Sequence, residues 1–123
     1  MTETELMEEI RTLCGDLRLL AFHVCDSRRS WGPGYPDLTI AGPRGLLHRE
    51  CKGDDAPGPT PEQRKWGSVI NQGGGNWAVW RPRDWRDWTI RRQLLAISKY
   101  AACLDSTCPQ FPHYYETEPR GAA

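Results

Sequence analysis

The period of the apolar positions changes several times along the chain, and each change marks an element. Leu6, Ile10, Leu13 and Leu17 recur at spacings of four, three and four, one face of a helix over residues 3–17. Thr2 stands before them as an N-cap, and the glutamates at 3, 5, 8 and 9 suit the positive end of a helix dipole. From Leu19 to Cys25 the period falls to two, with Leu20, Phe22 and Val24 on one side and Leu19, Ala21 and His23 on the other. Both sides are largely apolar, which predicts a strand buried on both faces.

Tyr35 to Ala41 and Leu46 to Lys52 read as a hairpin across the turn Gly42-Pro43-Arg44-Gly45. Pro36 lacks an amide donor, which suits the start of a strand or an edge. Side chains alternate along a strand, so Glu50 and Lys52 share one face and Cys51 takes the other. Thr60-Pro61-Glu62-Gln63 opens the next helix with an N-cap, a proline at the first position and a capping box. That helix runs through Trp66, Val69 and Ile70 and stops at Gly73-Gly74-Gly75. Trp77 to Trp80 is a short apolar strand, and Asp87 caps a last helix over 88–100. Beyond Cys103 the periodicity fades into a loosely held tail with prolines at 109, 112 and 119. The order of elements predicts an α/β fold, with one domain over 1–102.

Composition changes this picture little. The 123 residues suit one domain, and 38% hydrophobic with 26% charged residues suits a soluble one. No apolar run approaches the roughly 20 residues of a membrane span. The acidic start differs from a secretory signal, which begins with positive charge. Cysteines at 14, 25, 51, 103 and 108 are odd in number and include no CxxC pair. That argues against a disulfide framework and for a reducing cytoplasm, although Cys103 and Cys108 are spaced for a local pair. Net charge is zero, but residues 11–104 hold fifteen basic and nine acidic residues. This surplus is enough for a basic face.

The chemistry concentrates between Gly34 and Lys52. Asp37 opens one apolar run of the hairpin, and Glu50, Cys51 and Lys52 close the other. Hard carboxylate oxygens suit Mg2+ or Mn2+, and the Cys51 backbone carbonyl is a third candidate ligand. Lys52 is placed to orient a water or to stabilise charge developing on phosphate. An acid at the end of a buried run needs a metal or the lysine to compensate it. The plainer reading is a surface Glu–Lys pair. Arg28 and Arg29 stand in the polar loop before the hairpin, where guanidinium forks can hold phosphate. Asp54 and Asp55 are adjacent and diverge, so they read as solvated. His23 reads as a core or edge histidine. Gln63 either caps its helix only or also serves the site. Most of the six tryptophans read as core, with one or two free to stack on a base.

Pro36-Asp37 followed by Glu50-Cys51-Lys52 resembles the PD-(D/E)xK nuclease signature. Gly34-Tyr35-Pro36-Asp37-Leu38, the Thr60-Pro61-Glu62-Gln63 helix start and Trp66 resemble its VRR-NUC branch more narrowly. The loop at 26–30 and Val79 to Asp84 are similar to small, phage-type stand-alone members. The resemblance covers roughly residues 3–95 and implies a restriction-endonuclease-like core, a central mixed sheet flanked by helices in αβββαβ order. It implies Asp37, Glu50 and Lys52 as the catalytic core, with Mg2+ or Mn2+ held by Asp37, Glu50, the Cys51 carbonyl and a glutamate of the first helix. Glu3 best matches that glutamate, with Glu5 and Glu9 as alternatives, and Gln63 matches a glutamine that orients the site. The implied function is a DNA endonuclease selective for Holliday junctions or other branched DNA, in some members as a homodimer, acting in the host cytoplasm where phage-encoded. A non-cleaving DNA-binding or assembly module of nuclease ancestry is the competing reading.

Overall fold

The computed structural model describes residues 1–24 and 32–101. The expectations for Arg28, Arg29 and the tail lie outside them. Helix α1 (Glu3–Asp16) starts on a capping box: Thr2 Oγ1 accepts from the Glu5 N–H at 3.1 Å, and Glu5 Oε1 accepts from the Thr2 N–H at 3.0 Å. Strands β1 (Leu20–His23), β2 (Leu38–Gly42) and β3 (Gly45–Cys51) follow as an antiparallel meander, β2 and β3 joined by the tight turn at Pro43-Arg44. Helix α2 (Pro61–Gln72) carries the chain over so that β4 (Trp77–Trp80) lies parallel to β3. The sheet order is β1-β2-β3-β4. Helices α3 (Pro82–Arg86) and α4 (Thr89–Ile97) complete the order.

Alternation along the strands divides the sheet into unequal faces. One face presents Leu38, Ile40, Leu47, Cys51 and Trp80 to Leu6, Ile10 and Cys14 of α1, Trp85 of α3, and Ile90 and Leu94 of α4. The other presents Thr39, His48 and Glu50, and α2 covers it at the β3–β4 end. Gly67 makes that cover close, because a Cβ there would lie 2.3 Å from the Trp77 ring.

Two sequence expectations need correction. The first strand is not buried on both faces: every residue of β1 is exposed, Leu20 at 76% and Phe22 at 63%. It is the edge strand, and α2 sits over the opposite end of the sheet. Its apolar alternation reports strand propensity and not burial. The last helix is also shorter than 88–100. Trp88 takes a left-handed conformation, with φ at 71°, and separates α3 from α4. The N-cap position falls to Trp88 and not to Asp87, whose carboxylate accepts the Thr89 N–H at 3.0 Å from one residue further back. Among the described residues no helix is long and apolar enough to cross a membrane.

Candidate active site

Strand pairing builds the site. Leu38 lies opposite Arg49, so the next pair out brings Asp37 to Glu50. The Asp37 N–H donates to Glu50 Oε1 at 3.3 Å, and Asp37 Oδ2 accepts from the Cys51 N–H at 2.9 Å. The hairpin therefore locks both acids at its open end. Lys52 continues β3, its N–H donating to the Trp80 carbonyl at 3.0 Å.

Glu50 is 0% exposed, and its Oε2 has no hydrogen-bond partner. Burial, and then the charge of Asp37, push its carboxyl up to about 8, while Lys52 acts in the opposite direction. A buried carboxylate beside a second one is unfavourable unless a cation compensates it. The donor set and the orphaned oxygen fit a hard divalent cation.

Gln63 caps its helix and also contacts Glu50. Its Oε1 accepts from the Thr60 N–H at 2.9 Å, completing the capping box, and its Nε2 donates to Glu50 Oε1 at 3.3 Å. The start of α2 is thus fastened to the carboxylate. Cys51 packs its thiol into the core, where burial raises its pKa far above the ordinary thiol value.

Glu3 lies on the exposed first turn of α1, with Glu5 engaged in the cap. Among the described residues no three His, Cys, Asp or Glu side chains form a group able to hold a metal, so Glu3 is not gathered with Asp37 and Glu50 into one cluster. His23 lines a cavity between α1 and β1 with Met7, Ala21 and Leu38.

Asp54 is better anchored than a solvated loop acid. Its carboxylate accepts from the Arg83 N–H at 3.0 Å and pairs with Arg86 at 2.9 Å, which lowers its pKa. The Arg81 guanidinium donates to the carbonyls of Gly53 and Ala56. Together they tie the loop after Lys52 to α3. Sequence reasoning also passed over a polar chain beside the acids: Tyr35 Oη to Thr39 Oγ1 at 3.1 Å, and Thr39 Oγ1 to His48 Nδ1 at 3.1 Å. Period-two spacing from Asp37 and Glu50 is the signal that places these residues on the same face.

A VRR_NUC domain protein superposes with a TM-score of 0.57 at 21% identity, over 80% of this chain and 91% of its own. The chain has the restriction-endonuclease-like fold of a VRR_NUC domain. Hjc, a Holliday junction resolvase from the archaeal hyperthermophile Archaeoglobus fulgidus, gives a TM-score of 0.42 at 22% identity over 60% of this chain and 66% of its own. No protein-family model and no curated protein matches the sequence.

Proposed function

We propose that this chain is a Mg2+- or Mn2+-dependent DNA endonuclease, selective for Holliday junctions or other branched DNA. One observation carries the reading: a fully buried glutamate with one unpartnered oxygen, its other oxygen held by the Asp37 N–H beside a second acid, on the fold of a VRR_NUC domain protein. Asp37, Glu50 and the Cys51 carbonyl would hold the metal. When bound, the ion polarises the phosphate and lowers the pKa of the attacking water. Lys52 holds that water or steadies charge on the phosphate, and Gln63 fixes the Glu50 carboxylate. Arg28 and Arg29 would contact phosphates of the bound strand. Resolving a junction needs two cuts, so a homodimer in the cytoplasm belongs to this reading.

The test is cleavage of labelled four-way junction, flap, linear duplex and single strand, with manganese and with EDTA. Metal-dependent cutting strongest on branched DNA is expected. Binding without cutting of any substrate would instead identify a non-cleaving DNA-binding module. Lys52→Ala should bind DNA and fail to cut it, and full activity in that variant would remove Lys52 from the mechanism.

A further inference from the structure

A groove between the loop at Pro33 and helix α2 has no part in the chemistry above. Pro33, Glu62, Lys65, Trp66 and Val69 line an open cavity of about 400 Å³. Its aromatic wall is held in place. Trp66 Nε1 donates to the Pro33 carbonyl at 3.1 Å, and the Trp66 ring meets Tyr35 edge-on with centroids 5.1 Å apart. Gly34 brings the loop this close to α2: its φ is +87°, and a Cβ would lie 2.6 Å from the Glu62 backbone. Val69 leaves 59% of its surface in water, whereas Trp80 and Trp85 are sealed in the core. Trp66 follows Gln63 by three residues, on the same side of α2 and about 5 Å further along its axis. Gln63 touches Glu50, so the groove opens one helical turn from the paired carboxylates.

We propose that this groove receives an unpaired nucleobase of the DNA substrate, one or two nucleotides from the cut phosphate. The inference rests on the nuclease reading and deepens it. Trp66, Pro33 and Val69 offer apolar surface to the face of a base, a contact that tolerates any sequence. Lys65 supplies the cation for the adjoining phosphate. Glu62 offers only acceptor oxygens and repels phosphate, so the sugar–phosphate chain runs on the Lys65 side. A base inside a duplex has both faces stacked and cannot enter. The groove therefore favours DNA with an unstacked nucleotide beside the cut, as at a branch point or flap.

The test uses the full chain carrying Glu50→Gln in EDTA, so that binding is read without cleavage. Fluorescence anisotropy measures affinity for a labelled flap substrate and for versions with an abasic residue at each position near the branch. One abasic position should weaken binding about tenfold, in line with the worth of one base–aromatic stack. The same abasic residue should have no effect once Trp66→Ala is added. Lys65→Gln should reduce the slope of log affinity against log salt by roughly 0.7, one phosphate contact on a single strand. Should Trp66→Ala disturb the loop by circular dichroism, Val69→Asp at the exposed wall should give the same loss. Retained binding with identical abasic profiles in parent and variants would overturn the groove and leave the nuclease reading standing. Failure to bind any of these DNAs would overturn both.

Discussion

Arg49 and Glu50 are neighbours in β3, both charged and both buried, yet the two faces of the strand treat them in opposite ways. Arg49, 2% exposed, donates to the His48 and Asn76 carbonyls at 2.9 and 2.8 Å and to Gln93 Oε1 at 2.9 Å. It also lies 5.1 Å from the centroid of the Trp80 ring. Burial lowers its pKa to about 10, which leaves it charged at neutral pH. Glu50 shares one oxygen between Asp37 and Gln63 and leaves the other without a partner. The first charge is compensated from within through both Nη atoms, with only Nε left without a partner, and ties the sheet to α4. The second keeps one oxygen without a hydrogen-bond partner, and burial beside Asp37 raises its pKa.

The largest expected effect is on activity. Glu50→Gln should lower metal-dependent cleavage at least ~10^3-fold while leaving the melting temperature unchanged or higher, because the cost of keeping a buried acid protonated at neutral pH is gone. Retained cleavage would mean that Glu50 is no more than structural. Arg49→Met should do the reverse on the other face. It removes the buried hydrogen bonds to the His48 and Asn76 carbonyls and to Gln93 and should destabilise the fold by about 3 kcal/mol, roughly 10–15 °C in melting temperature. An unchanged thermal melt would break the comparison.

Acidity sharpens the contrast further. The folded Glu50 carboxyl titrates near 8, above the ordinary value of 4.5. A group raised in the fold contributes its stability in full below its unfolded pKa and loses it as pH climbs through the folded one. The metal-free protein should therefore melt at progressively lower temperature between about pH 4.5 and pH 8. Glu50→Gln should remove most of that slope, and manganese should flatten it in the parent. A slope unaffected by either would assign the pH dependence to other groups.

Smaller effects follow from the cap. Thr60→Ala should cost about 1 kcal/mol, because the Gln63 N–H loses the Thr60 Oγ1 acceptor, and cleavage should fall severalfold as the start of α2 loosens around the Gln63–Glu50 contact. Smallest of all, Leu20→Lys on the exposed edge strand should shift stability by less than about 0.5 kcal/mol. A larger loss in urea titration would show that β1 is covered in solution.

Local signals in the chain anticipated much of this. The N-cap at Thr2 and the capping box at Thr60 stand where the sequence puts them, because caps depend on residues three apart. The hairpin turn and the run through α2 were legible for the same reason. Burial of β1 was not. Leu20, Phe22 and Val24 alternate as a core strand does, and no local pattern records that a helix covers only the far end of the sheet. The break at Trp88 was hidden likewise, since its left-handed backbone is unusual for a tryptophan.

The site divides along the same line. By itself the sequence determined which groups exist and their spacing: Asp37, Glu50, Lys52 and Gln63, with period-two alternation setting their faces. Only the tertiary structure decided which of them meet. Strand register brought Asp37 to Glu50, the crossover to β4 swung Gln63 onto the same carboxylate, and packing sealed Glu50 away from water. Burial and long-range pairing are properties of the assembled sheet. They turn an ordinary Glu-x-Lys into a glutamate with a raised pKa and one oxygen left for a partner.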